Sequence, residues 1–248
     1  MKKFGLIGHP IAHSLSPALF KAAYDGKYAY DLIEGEDFET SYRRFIEEYD
    51  AINVTAPFKE AAFAKADILS EECASTGATN LLVKTPEGIK AYNSDFLGVR
   101  MWLSEVTEDL KGVKILIVGL GGAGKAAAAA AESLGMDVIR MNRTVRDSRT
   151  LPLDKFRECL RDADIMIYNI PAAIPELKEL TDSDFNEDKP KLILEANYKD
   201  PSLRETMESF GSKAVYTGGE TWLLYQAMTG YKILTGEKPD LTKMSDVL

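Results

Sequence analysis

Cysteine and histidine are the scarcest chemical resources of this 248-residue chain, with two of each. Cys73 and Cys159 stand apart with no C-x-x-C, so neither a disulfide framework nor a thiolate zinc site is expected, and both read as reduced core thiols. His9 and His13 are four apart, but Pro10 prevents a helix across them and no third ligand is near, so no metal is expected. Cations are short as well. The 30 Lys and Arg against 39 Asp and Glu leave a net charge of −9, which argues against nucleic acid or an anionic membrane as partner. No run approaches the ~18 apolar residues of a membrane span, and Met1-Lys2-Lys3 leads into a strand instead of an apolar signal core; a cytoplasmic protein is expected. Internal repeats and Ser-rich linkers are missing too.

What is present has ordinary globular composition, 45% hydrophobic and 28% charged. The most constraining stretch runs from Val113 to Thr144 and reads as strand, glycine turn, helix, strand. Residues 113 to 118 are apolar enough for a strand buried on both faces. Gly119, Gly121 and Gly124 then satisfy G-x-G-x-x-G between strand and helix, the context in which that motif seats a dinucleotide pyrophosphate. Six alanines, Ala126 to Ala131, favour a helix lying close to the sheet. The same glycines fit a phosphate loop, G-x-x-x-x-G-K, but Ala126 follows where a hydroxyl must hold magnesium, which removes nucleotide hydrolysis. After the second strand, an acidic residue would favour NAD; Asn142-Arg143-Thr144 stands there instead, among Arg140, Arg146 and Arg149. A local excess of cation suits a 2′-phosphate, so the cofactor reads as NADP.

About a hundred residues precede this unit. Phe4 to Ile7 read as a strand that runs into Ser14-Leu15-Ser16-Pro17, with Ser16 as N-cap and Pro17 as first helical residue. In an extended segment the two serine hydroxyls face one way and could share a carboxylate; both could also merely cap and turn. Strands around Tyr28 to Ile33 and Ala51 to Val54 alternate with helices, which implies a parallel or mostly parallel sheet. Lys59 falls in the first turn of the next helix, where the dipole opposes a cation; that suits a proton donor or acceptor, although a surface lysine has the same spacing. A hairpin from Asn80 to Tyr92 delivers Asn93-Ser94-Asp95 to another helix start, where Asp95 reads on its own as an N-cap. Pro152 to Leu160 and Pro201 to Phe210 read as later helices, with strands at Ile165 to Tyr168, Leu192 to Glu195 and Lys213 to Tyr216.

Taken together, these motifs resemble the shikimate dehydrogenase family. The resemblance rests on Ser14-Leu15-Ser16-Pro17, Asn53-Val54-Thr55-Ala56-Pro57-Phe58-Lys59, Asn93 to Gly98, the glycine turn, Asn142-Arg143-Thr144 and Gly219 to Gln226, in that order. It implies that Lys59 and Asp95 form the catalytic pair, that Ser14 and Ser16 hold the substrate carboxylate with Tyr198 nearby, and that Thr55, Asn80 and Gln226 line the ring site. Gly119, Gly121, Gly122, Ala123, Gly124, Asn142, Arg143, Thr144, Asn169 and Gly219 are implied for the cofactor. The chain departs from the pattern at Trp222, where methionine is usual, at Asn169-Ile170-Pro171-Ala172, at Leu81 and at Glu195.

The expected fold is α/β with two domains. A mixed or parallel αβ substrate-binding catalytic domain covers 1–96 plus 220–248, and a Rossmann-like doubly wound NADP domain covers 97–219, with a C-terminal helix returning to the first domain and the active site in the cleft. The implied reaction is reversible, NADPH-dependent reduction of 3-dehydroshikimate to shikimate, by a monomer or homodimer. Alternatives are a quinate/shikimate dehydrogenase using NAD and a non-catalytic ligand-binding homologue.

Overall fold

The computed structural model describes residues 2–107 and 109–248; Met1, read above as the lead into the first strand, lies outside them. The chain divides into two compact units, Met1–Gly98 with Leu224–Leu248, and Val99–Leu223.

The first unit opens with β1 (Lys3–Gly8), α1 (Ser16–Ala23), β2 (Ala29–Glu34), α2 (Phe38–Glu48), β3 (Ala51–Val54), α3 (Lys59–Ala64), β4 (Ile68–Leu69), α4 (Glu71–Thr76), β5 (Leu81–Thr85), β6 (Gly88–Tyr92) and α5 (Ser94–Val106), which runs on into the second unit. Its six-stranded sheet has the order β2-β1-β3-β5-β6-β4. β2, β1 and β3 are parallel, whereas β5 pairs antiparallel with both β3 and β6, so the sheet is mixed and the hairpin is its hinge of direction. Successive side chains take opposite faces. Ile7, Ile33, Ile52 and Val54 pack with Phe38, Phe45 and Phe58 on one. Phe4 stacks with Phe20 and Tyr28 on the other, with ring centroids 5.4 and 5.5 Å apart.

The second unit continues with β7 (Lys114–Val118), α6 (Gly122–Ser133), β8 (Asp137–Met141), β9 (Thr150–Leu151), α7 (Phe156–Asp162), β10 (Ile165–Tyr168), β11 (Lys191–Glu195), α8 (Arg204–Glu208) and β12 (Ala214–Thr217). All its strands are parallel, in the order β12-β11-β10-β7-β8-β9. This is the doubly wound arrangement, with its reversal of strand order between β7 and β10. The four residues of β10 are all buried, as helices on both faces require. α9 (Gly219–Thr235) and α10 (Leu241–Ser245) end the chain. Among the described residues, no helix is long and apolar enough to cross a membrane and no cluster of ligand side chains could hold a metal. Cys73 and Cys159 are buried thiols, as their isolation suggested.

Two helices differ from the sequence reading. Pro152 to Leu160 starts as a 3-10 turn and becomes α-helical only at Phe156. Pro201 to Phe210 shrinks to Arg204–Glu208 because a buried carboxylate claims the amides ahead of it. Glu195, with 0% exposure, accepts Ser202 N at 2.6 Å, Leu203 N at 3.2 Å, the Ser202 hydroxyl at 3.0 Å and the Tyr216 hydroxyl at 2.7 Å.

A second buried carboxylate, Asp184, accepts Arg157 Nε at 2.8 Å, Arg161 Nε at 2.6 Å and Thr181 N at 2.7 Å. Burial pushes its pKa up, but the Arg157 bond, the Thr181 amide and Arg161 together outweigh that and leave it at about 2, against an ordinary 3.8. A depressed folded-state pKa stabilises above the unfolded value and is lost as pH falls through the folded one. Asp184→Asn should therefore cost about 2 kcal/mol at pH 7 by urea unfolding, and the gap to wild type should close between about pH 4 and pH 2. A gap independent of pH would assign the loss to packing alone.

Candidate active site

The first turns of two helices bring the first pair of candidate functional groups together. β3 ends in Thr55-Ala56-Pro57, and α3 starts at Lys59. On α5, the capping work falls to Asn93, whose Oδ1 accepts Phe96 N at 3.1 Å. Asp95 is therefore not the N-cap that its position suggests: it sits within the first turn, and its Oδ2 accepts Lys59 Nζ at 2.5 Å. The lysine side chain is 23% exposed and the aspartate 10%, so the pair is partly withdrawn from water while one side stays open. A charge-assisted bond of this length fixes the ammonium against a carboxylate that cannot donate a proton in return.

Next to Asp95, Ser94 is fully buried and organises its neighbours. Its amide donates to Asn80 Oδ1 at 2.7 Å, its Oγ accepts Asn80 Nδ2 at 3.0 Å, and its hydroxyl donates to Gln226 Oε1 at 3.2 Å. Gly230, one turn beyond Gln226 on α9, lies close to Ser94: a Cβ there would lie 3.1 Å from Ser94 Cβ and Oγ, tight enough that Ser94 would have to give. Asn80 and Gln226 are thus set by Ser94, which the sequence reading quoted without a role. A serine flanked by a cap and a carboxylate at a helix start was the available signal.

Ser14 and Ser16 flank the start of α1, but not as expected. Leu15 is helical, φ −79° and ψ −8°, so the segment is not extended; the helix starts at Ser16, and Ser14 Oγ accepts Ser16 N at 3.2 Å. The alternation argument for two parallel hydroxyls therefore fails, although both side chains remain partly exposed at one helix start. This loop abuts Thr55: a Cβ at Gly8 would meet Thr55 Cγ2 at 2.4 Å and Ile11 Cγ2 at 2.6 Å, and Ser14 N donates to Ile11 O at 2.9 Å. Tyr198 belongs to the second unit, half-buried after β11, with its amide against Gly219.

In the second unit, the glycine turn lies at the carboxyl ends of β7 and β10, the switch point where such sheets bind ligands. Gly119 has φ +87°, which favours glycine, and a Cβ at Gly124 would fall 1.8 Å from Gly119 O. Both are demanded by the turn itself. Gly121 is not: a Cβ there meets nothing within 4 Å, so its bareness leaves room ahead of α6. Gly122 and Ala123 open that helix, and Asn142 Oδ1 lies 3.5 Å from Leu120 N. Asn169 follows β10; its Oδ1 is buried with no hydrogen-bond partner. Of the four arginines, Arg140 is turned to Glu132 on α6, whereas Arg143, Arg146 and Arg149 are exposed beside Thr144. Gly219 is needed for packing, since a Cβ would sit 2.6 Å from Asn197 C and Tyr198 N.

Residues 6–82 match the family model of the shikimate dehydrogenase substrate binding domain, and residues 89–194 match the NAD binding domain of D-isomer specific 2-hydroxyacid dehydrogenases. Shikimate dehydrogenase (NADP(+)) from a bovine strain of Staphylococcus aureus is 32% identical, across 98% of this chain and 96% of its own. The chain belongs to the shikimate dehydrogenase family. The Thermotoga maritima shikimate dehydrogenase (NADP(+)) is 30% identical over 93% of this chain and 92% of its own. Among solved structures, shikimate 5-dehydrogenase from Thermus thermophilus in complex with NADP(H) and shikimate has a TM-score of 0.80 at 28% identity, covering 100% of this chain and 98% of that one. Membership explains why a substrate-domain model and a dinucleotide-domain model divide the chain between them.

The glycine turn makes a contrast that can be measured. Gly124→Ala should cost at least about 2 kcal/mol, because main chain must move, while Gly121→Ser, which supplies a good N-cap into open space, should stay within about 0.5 kcal/mol of wild type. Equal urea midpoints for the two variants would contradict the close contact between Gly124 and Gly119.

Proposed function

We infer that this protein is an NADP-dependent shikimate dehydrogenase, which reversibly reduces 3-dehydroshikimate to shikimate. The observation that carries this is the Lys59–Asp95 pair at 2.5 Å, in a chain that follows its relatives over almost its whole length. We place the protein in the cytoplasm, supplying a precursor of aromatic amino acids. Its substrate is a small molecule, and the net charge of −9 argues against nucleic acid as a partner.

The residues of the second unit fit the cofactor: the bare Gly121 at the start of α6 for the pyrophosphate, the orphaned Asn169 Oδ1 for a donor, and exposed Arg143 with Asn142 and Thr144 for the 2′-phosphate. When bound, NADPH supplies the hydride. Lys59 does the protein's share of the chemistry. As negative charge develops on the carbonyl oxygen, Lys59 Nζ stabilises it and delivers the proton, and in the reverse direction takes it back. Asp95 holds the ammonium in place and accepts a ring hydroxyl. Thr55, Asn80 and Gln226 orient the ring, and the Ser14 and Ser16 hydroxyls bind the carboxylate.

Lys59→Ala, assayed at 340 nm with shikimate and saturating NADP, should lower kcat by at least about a hundredfold with little change in the NADP KM. A fall of less than about tenfold would remove Lys59 as general acid.

Arg143 sets the cofactor. A guanidinium meets a phosphate with two parallel hydrogen bonds, each charge-assisted and worth roughly 1.5 to 3 kcal/mol. Arg143→Asp should raise the NADP KM by at least about tenfold while the NAD KM holds or improves. An unchanged NADP/NAD preference would move the role to Arg146 or Arg149.

A further inference from the structure

The start of α1 is poorly held by its own side chains. The helix has no side-chain cap bond, and a local side-chain contact is Ser14 Oγ accepting Ser16 N at 3.2 Å. A restraint comes from elsewhere in the first unit. Tyr231, on α9, is 1% exposed, and a phenol so buried needs a partner for its hydroxyl. That partner is the main-chain oxygen of Ser16, at 3.0 Å. The ring leans edge-on against Phe20, at 4.9 Å, one turn after Ser16 on α1. A second phenol backs the first: Tyr30 packs on Phe20 at 4.6 Å, meets Tyr231 at 6.1 Å, and donates to Asn53 Oδ1 at 2.8 Å. Burial pushes both phenols well above their ordinary pKa, so both remain donors at any working pH. Five residues before Tyr231, the same helix places Gln226 on Ser94.

We propose that Tyr231 is a positioning residue for the substrate carboxylate: its hydroxyl, donated to Ser16 O, fixes the first turn of α1 so that the Ser14 and Ser16 hydroxyls meet one carboxylate. Phenylalanine would fill the same space. The hydroxyl's hydrogen bonds among the described residues go to Ser16, its main-chain oxygen and its side chain, a residue assigned to the carboxylate, so its effect is confined to that end of the substrate. The inference rests on the carboxylate reading of Ser14 and Ser16.

The test compares shikimate with its methyl ester, which keeps the ring and the reacting hydroxyl but lacks the charge. Tyr231→Phe should raise the KM for shikimate by about five- to tenfold, the range for one lost hydrogen bond to a binding group, and leave the ester KM, the NADP KM and both kcat values within about twofold. Tyr24→Phe is the control, since it removes a hydroxyl from the same aromatic cluster without touching Ser16; it should leave the shikimate-to-ester ratio unchanged. Ser16→Ala combined with Tyr231→Phe should lose little more than Ser16→Ala alone, because one acts through the other. A purely structural role for Tyr231 predicts equal losses on shikimate and ester, or an additive double variant, and either result overturns the proposal. So does an unchanged shikimate KM. If wild type itself fails to distinguish shikimate from its ester, the carboxylate reading falls and this inference with it, a result visible before any variant is made.

Discussion

One buried hydroxyl sets much of the first unit's chemistry. Ser94 has no exposure, and its amide and Oγ are spent on Asn80 and Gln226. Because buried polar groups are costly when unpaired, each bond in this set holds the others. Asn80 lies just ahead of β5 and Gln226 in α9, so two other elements converge on one residue of α5, with Asp95 next along that helix. Lys59 inherits this order through Asp95. The ion pair is thus anchored on its acidic side by the main chain of a helix first turn, and on its basic side by the start of α3.

The second unit depends on a constraint of a different kind. Parallel strands need crossovers, and where the crossovers change direction the two adjacent strands leave a gap at their carboxyl ends. Gly119 and Gly124 let the chain reverse there with almost no space between turn and helix, and the small alanines behind them let α6 lie against β7 and β8. Asn169 and Ile170 close the other side of the gap: Ile170 Cγ1 would be 2.8 Å from a Cβ at Gly119.

Much of this was legible in the residues. Local rules sufficed for the strand–glycine–helix unit, the hairpin at Asn80 to Tyr92 and the isolation of the two cysteines, because each depends on neighbours in the chain. The failures share a cause. Alternation, the simplest local geometry, makes Ser16 an N-cap and Leu15 extended; a turn beginning at Ala12 overrides it. Asp95 was a plausible cap until Asn93 took that task. The sequence reading makes the α8 region too long, because Glu195 reaches across to the Ser202 and Leu203 amides. Contacts made across the sequence by a single carboxylate or hydroxyl leave no periodic trace.

Arg140 and Arg143 stand three residues apart on the same segment and answer to different masters. Arg140 is committed to Glu132, a contact that ties β8 to α6. Arg143 is exposed and makes no ion pair with any carboxylate among the described residues. Exchanging Arg140 disturbs a helix–strand junction, whereas exchanging Arg143 disturbs nothing that the folded chain needs. With Arg143 in its proposed role at the 2′-phosphate, cofactor preference is therefore separable from stability. On that proposal, preference can drift at one surface position, in either direction, without passing through an unfolded intermediate sequence.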